Sequence, residues 1–140
     1  MQGTSQIENL TIKQLHSELG DAKILVVDDS DDNRLLASRI LGKFGAQVDL
    51  ACNGAEGFRK AIDGKYDVVL MDLQMPIMDG YEATRSLRRA GFQLPVVALT
   101  AHAMAEDRAQ TSLAGFDGHL TKPIVIPDLI QMIRSFLPRE

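Results

Sequence analysis

A single cysteine, Cys52, occurs in the 140 residues, so no intramolecular disulfide can form and no cysteine cluster can hold zinc or an iron–sulfur centre. A cytoplasmic, reducing compartment is expected. No run approaches the ~20 apolar residues of a membrane span. Residues 1–22 also lack the basic stretch followed by an apolar one that marks a secretory leader. The domain is therefore expected to be neither secreted nor inserted, whatever larger protein carries it. Charge is nearly balanced, 15 basic against 19 acidic residues, with no long block of either sign. Neither nucleic acid nor a membrane surface is an expected partner. Low-complexity tracts and internal sequence repeats are absent as well.

What is present is a hydrophobic fraction of 45%, enough at this length for one core and one domain. From residue 23 onward, short runs of Val, Ile and Leu alternate with longer segments of helical period. That alternation is the mark of a parallel sheet covered by helices on both faces. Strands are predicted over 23–27, 47–51, 67–71, 95–99 and 118–121. In the first helix Leu36, Ile40 and Phe44 recur at four-residue spacing, and in the last Leu129, Ile130, Ile133, Phe136 and Leu137 form an apolar stripe. Pro127 suits the first turn of that last helix. The fourth helix, around 105–114, offers mainly small or polar residues, with Leu113 as its expected anchor. It should be the most loosely packed.

Residues 1–21 read as an extension and 22–138 as the folded domain. Thr11 and Gln14 suit a capping box, Ile12, Leu15 and Leu19 make a small apolar stripe, and Gly20 can end the helix. Two readings stay open for this segment: a plain linker, or a helix that pairs with a second copy or a neighbouring module.

In an open parallel α/β sheet, ligands bind outside the carboxyl ends of the strands, so the polar residues that end each apolar run matter most. The first run ends in Asp28 and Asp29, the third in Asp72, the fourth in Thr100 and the fifth in Lys122. Three clustered carboxylates need a proton or a cation, and an all-oxygen ligand set favours Mg²⁺ or Mn²⁺ over zinc. With such an ion bound, one Asp can attack phosphorus, Lys122 can neutralise a phosphoryl oxygen, and the Thr100 hydroxyl can donate a hydrogen bond to another. Taken singly, each residue has a plainer reading. Ser30, Asp31, Asp32 and Asn33 suit the cap of the first helix, Thr100 suits an N-cap, and Lys122 suits a solvated surface. Their joint occurrence is what carries the inference. A haloacid-dehalogenase-like phosphatase would use Asp29 and Asp31 but leaves Asp72 without a role. A flavodoxin would place its flavin phosphate against two carboxylates. A scaffold with no chemistry leaves the complete residue set unexplained.

The segments VVDDS, VLMDLQMPIMDG, VVALTAHAM and GHLTKPI, in this order and spacing, closely resemble those of response-regulator receiver domains over about residues 22–138. The resemblance implies a flavodoxin-like (βα)5 doubly wound fold with five parallel strands in the order 2-1-3-4-5. It implies that Asp72 is the phosphoacceptor, that Asp29 binds Mg²⁺ directly with Asp28 assisting through water, and that the backbone carbonyl of Gln74 completes the protein ligands. Lys122 and Thr100 would bind the phosphoryl group, Thr100 as the switch. Lys122-Pro123 would be cis. Gly80 stands at the family's usual position after the phosphoacceptor loop. Gln74 and His102 occupy the positions that tune phosphoryl lifetime. His119 replaces the Tyr or Phe often found three residues before the lysine, leaving open a titrating switch or an ordinary surface histidine. His16, in the extension, reads as a solvated residue.

The wording is most similar to receivers of hybrid histidine kinases. The implied partners are a histidine kinase or a histidine phosphotransfer protein in a two-component phosphorelay. With no DNA-binding module after residue 138, the expected output is a protein contact, a relay step or regulation of a kinase. The fourth helix, fifth strand and fifth helix form the face expected to respond, and the resemblance allows homodimerisation through it. The domain is expected to catalyse its own phosphorylation and dephosphorylation rather than to turn over a separate substrate.

Overall fold

The computed structural model describes residues 18–101 and 105–138. Runs of β-branched and aliphatic residues too short for helices pair edge to edge and are covered on both faces, as their unbroken apolar character requires. In chain order the elements are β1 (Lys23–Val27), α1 (Asp31–Lys43), β2 (Gln47–Ala51), α2 (Gly54–Asp63) and β3 (Val68–Asp72). They continue with α3 (Gly80–Arg89), β4 (Val96–Thr100), α4 (Ala105–Ala114), β5 (Gly118–Thr121) and α5 (Ile126–Phe136). All four strand pairings are parallel, and the sheet order is β2-β1-β3-β4-β5, as expected.

Side chains alternate between two apolar layers. Leu25, Val27, Val69, Met71, Val96 and Ala98 pack with Ala83 and Leu87 of α3. Ile24, Val26, Val68, Leu70, Val97 and Leu99 pack on the other face with Leu41 of α1, Phe44, and Leu129, Ile130 and Ile133 of α5. Each buried Leu or Ile contributes about 1.5–3 kcal/mol. Pro127 lies in the first turn of α5, where its missing N–H leaves no helical bond unmade.

Three expectations change in detail. β3 and β4 each start and end one residue later than the predicted 67–71 and 95–99. Asp72 pairs with Leu99 and Thr100 with Thr121, so these two polar residues occupy the last rungs of the ladder rather than the loops beyond it. In α1, Leu36 is 58% exposed, and the inward ridge runs through Ala37, Ile40, Leu41 and Phe44. Strict four-residue steps drift around a helix of 3.6 residues per turn, which carries Leu36 off the buried face. Leu113, the expected anchor of α4, is 88% exposed, whereas Thr111 and Ala114 are buried. α4 meets the sheet through small side chains, and Leu113 lies more than a third of a turn from that line.

Leu19, ahead of β1, belongs to the α1 and α5 layer and is 2% exposed. Thr11, Ile12, Gln14, Leu15, His16 and His102 lie outside the described residues.

Candidate functional site

Parallel strands deliver all their carboxyl ends to one edge, and there the polar run-ends meet. Asp28, Asp29 and Asp72 each offer a carboxylate oxygen within 4.8 Å of the others. Asp28 and Asp72 are buried and Asp29 is exposed. Lys122 Nζ lies 3.3 Å from Asp72 Oδ1 and 3.6 Å from Asp28 Oδ2, so one cation spans both buried carboxylates. Thr100 is buried at the end of β4, the strand beside β3. Lys122 follows β5 directly, and its N–H donates to the Thr100 carbonyl at 2.6 Å. The Lys122-Pro123 peptide bond is cis.

Local sequence holds these groups in place. Ser30 caps α1, its hydroxyl accepting from the Asn33 N–H at 3.2 Å. The Ser30 N–H donates to Asp28 Oδ1 at 2.9 Å, and the Arg34 guanidinium donates to the Asp28 carbonyl at 2.7 Å. Asp31 and Arg34 form an ion pair. The N–H of Gln74 donates to Asp72 Oδ1 at 3.3 Å. After β3 the loop turns back over the strand end, and Gly80 makes that return feasible. A Cβ on Gly80 would fall 2.3 Å from the Asp72 carbonyl oxygen. Asp79 caps α3 by accepting from the Glu82 N–H at 2.9 Å. In the same loop Ile77 adopts a left-handed φ of 75°, an outlier for a β-branched residue next to the site.

Burial raises the Asp72 pKa above the ordinary carboxylate range, the charge of Lys122 opposes that shift, and the charge of Asp28 adds to it. A carboxylate so placed gains from a further cation, and the three-oxygen donor set fits a hard divalent ion such as Mg²⁺.

His119 pairs with Ala98 and therefore faces the α2 and α3 side of the sheet. Its ring is half-buried, and Nε2 is buried without a hydrogen-bond partner among the described residues. Residue type alone suits Ser30 and Asn33 to capping. The structure adds that Ser30, directly after the acidic pair, and Arg34, in the first turns of α1, brace Asp28.

A family model described as the response regulator receiver domain matches residues 24–134. Among curated proteins the chain is similar to hybrid signal transduction histidine kinase G of Dictyostelium discoideum, with 38% identity over 123 residues, covering 84% of this chain and 4% of that protein. It is also similar to sensor histidine kinase RcsC of Salmonella typhi, with 39% identity over 119 residues, covering 85% of this chain and 13% of that protein. The chain thus spans only a small part of these relatives.

Two solved structures bear on the site. The receiver domain of sensor histidine kinase PA1611 from Pseudomonas aeruginosa, with magnesium coordinated in its active-site cleft, matches at 34% identity and a TM-score of 0.77, covering 84% of this chain and 98% of that one. A co-crystal of the Saccharomyces cerevisiae histidine phosphotransfer protein Ypd1 with the receiver domain of Ssk1 matches at 28% identity and a TM-score of 0.79, covering 83% of this chain and 88% of that one.

Proposed function

The chain belongs to the response regulator receiver domain family, and from that premise we propose that Asp72 is its phosphoacceptor, taking a phosphoryl group from a phosphohistidine. The domain is a module of two-component and phosphorelay signalling. The observation that carries the assignment is the Lys122 ammonium placed against both Asp28 and Asp72 where three carboxylates converge.

In the transfer, an Asp72 oxygen attacks phosphorus, the phosphorus–nitrogen bond breaks with its electron pair going to nitrogen, and the donor ring, already protonated on its other nitrogen, leaves as neutral imidazole. An acyl phosphate remains. A divalent ion held by Asp28, Asp29, Asp72 and the Gln74 carbonyl would cancel charge on the carboxylates and on the incoming group, and Mg²⁺ or Mn²⁺ suits the all-oxygen set. Lys122 neutralises one phosphoryl oxygen. Thr100 donates its hydroxyl to another, and that movement is relayed to the α4, β5 and α5 face with His119 as the adjoining switch residue. Gln74 and His102 set how readily water reaches the acyl phosphate, so the domain also catalyses its own dephosphorylation.

The donor is a histidine kinase or a histidine phosphotransfer protein, and the responding face serves a protein partner or a second copy of the chain. Residues 22–138 form the receiver proper. The described residues contain no helix long and apolar enough to cross a membrane. The proposal places the domain in the cytoplasm, without contact to nucleic acid or membrane.

Incubation with Mg²⁺ and acetyl phosphate, read by intact mass, is expected to add one phosphoryl group to the wild type and none to Asp72→Asn. A carboxamide is a poor nucleophile toward phosphorus. An adduct that persists on Asp72→Asn would assign the acceptor elsewhere. A wild type that takes no phosphoryl group even from a phosphohistidine donor would remove the proposal.

A further inference from the structure

Residues 73–80 turn back over the end of β3 and carry Gln74, the proposed backbone ligand of the metal ion. The base of this loop is closed by the Gly80 N–H, which donates to the Leu73 carbonyl at 3.0 Å, and the Leu73 N–H donates to the Leu99 carbonyl at 3.1 Å. Its tip is a three-residue turn. The Met78 N–H donates to the Pro76 carbonyl at 2.9 Å across Ile77, whose φ of 75° is that of the rare, strained γ-turn. Such a turn persists only where its surroundings hold it.

The holding contact comes from α2. The Gly54 N–H, the first of that helix, donates to the Met78 carbonyl at 3.2 Å. Among the described residues this is the one backbone-to-backbone bond that joins residues 74–78 to a neighbouring element. A side chain at position 54 would break it, because a Cβ there would overlap the Met78 carbonyl oxygen and lie 2.9 Å from its carbon. One turn on, Gly57 lets α2 lie directly on β1, where a Cβ would fall 2.8 and 2.9 Å from the two Val27 methyls. Val27 immediately precedes Asp28. The same helix therefore touches the strand that delivers the acidic pair and the loop that follows Asp72. Its first turn is braced in place, since Asn53 Oδ1 accepts from the Glu56 N–H at 2.8 Å and Glu56 Oε1 accepts from the Cys52 N–H at 2.7 Å.

We propose that Gly54 is a positioning residue of the acceptor site, fixing the Gln74 segment against the Asp28 end of β1 at the spacing a divalent ion needs. The assignment rests on reading Asp28, Asp29 and Asp72 as the carboxylates that hold that ion. Mg²⁺ tolerates little departure from octahedral geometry, so a displaced loop loses affinity even where all three carboxylates remain. Linkage makes the effect mutual, and the bound ion holds the Gly54–Met78 bond closed in turn.

Titration calorimetry with Mg²⁺ and amide hydrogen exchange, both on the full chain, test this. Gly54→Ala is expected to bind Mg²⁺ about tenfold more weakly than the wild type. Gly64→Ala, whose Cβ would overlap the Tyr66 ring at the far end of α2, is expected to stay within about twofold. In the wild type, saturating Mg²⁺ is expected to slow exchange at the Gly54 amide about tenfold and to leave the Gly64 amide, which donates to the Lys60 carbonyl, within about twofold. The exchange measurement needs no variant, so it stands even if Gly54→Ala fails to fold. Unchanged affinity in Gly54→Ala or equal weakening in both variants overturns the proposal, as does a Gly54 amide that Mg²⁺ slows no more than the Gly64 amide. A wild type that binds no Mg²⁺ removes the metal site itself, and this inference with it.

Discussion

Tyr66 shows how one hydroxyl ties stability to pH. Burial, then the hydrogen bond to Asp49 and its negative charge, push the phenol up to about 12, and the bond itself measures 2.7 Å. The folded pKa lies above the unfolded value of about 10. The contribution is therefore fully present below pH 10 and is lost as pH rises from about 10 through about 12. Tyr66→Phe is expected to cost about 1 kcal/mol at neutral pH and to flatten the loss of stability across that alkaline window, as read by urea unfolding at a series of pH values. Ile77 presents the opposite case, a residue in a conformation that its side chain resists. Its φ is 75° and the side chain is 84% exposed, so little burial offsets the left-handed backbone. Ile77→Asn, with a side chain that tolerates this region, is expected to stabilise the fold by about 0.5–1 kcal/mol in the same assay.

Among the elements, α4 is anchored at its C-terminal end by a clamp from α3. Arg88 of α3 donates to the Gly115 carbonyl at 2.9 Å, to the Phe92 and Leu94 carbonyls at 2.8 and 2.9 Å, and to Asp117 at 2.7 Å. Asp117 in turn accepts from the Val96 N–H at 2.9 Å, which joins the clamp to the start of β4. Gly115 fits beneath the arginine because its φ is 105° and a Cβ would sit 2.7 Å from Arg88 Cγ. Arg88→Ala leaves several acceptors without a partner. A loss of roughly 2–3 kcal/mol is expected, with faster amide exchange along α4 than along α3 or α5. Equal acceleration in all three helices would mean that the guanidinium supports the whole fold rather than this element. None of this was legible in the sequence, since an arginine near the end of a helix reads as an ordinary dipole partner. The misplacement of Leu113 has a related origin. Periodicity ranks residues by hydrophobicity, while the close approach of α4 selected the small side chains Thr111 and Ala114.

At the scale of the whole molecule, the site opposes the stability of the fold that presents it. Asp72 has its pKa raised by burial and by Asp28, so its contribution is favourable below the unfolded carboxylate range and is lost as pH rises. At neutral pH and without divalent ions, Asp72→Asn is therefore expected to melt a few degrees higher than the wild type, at about 4 °C per kcal/mol for a chain of this size. Mg²⁺ held by the three carboxylates of the folded site would raise the wild-type midpoint, while Asp72→Asn would respond weakly, so the gap is expected to narrow or reverse. Thermal melts of both proteins in EDTA and in Mg²⁺ check this. A wild type unmoved by Mg²⁺ would argue against a metal at the three carboxylates.

The sequence by itself determined the repeating strand and helix units, the parallel sheet, and the set of Asp28, Asp29, Asp72, Thr100 and Lys122 at one edge. Those follow from local periodicity and from a topological rule that places every strand's carboxyl end together. Tertiary structure alone decided which helix faces are buried, that Asp72 and Thr100 lie within the ladder, that Ser30 and Arg34 brace Asp28, and that Leu19 belongs to the core. The Asp28 brace is local but needs side-chain geometry that residue type alone does not encode, and the others depend on distances between residues far apart in the chain, which packing fixes.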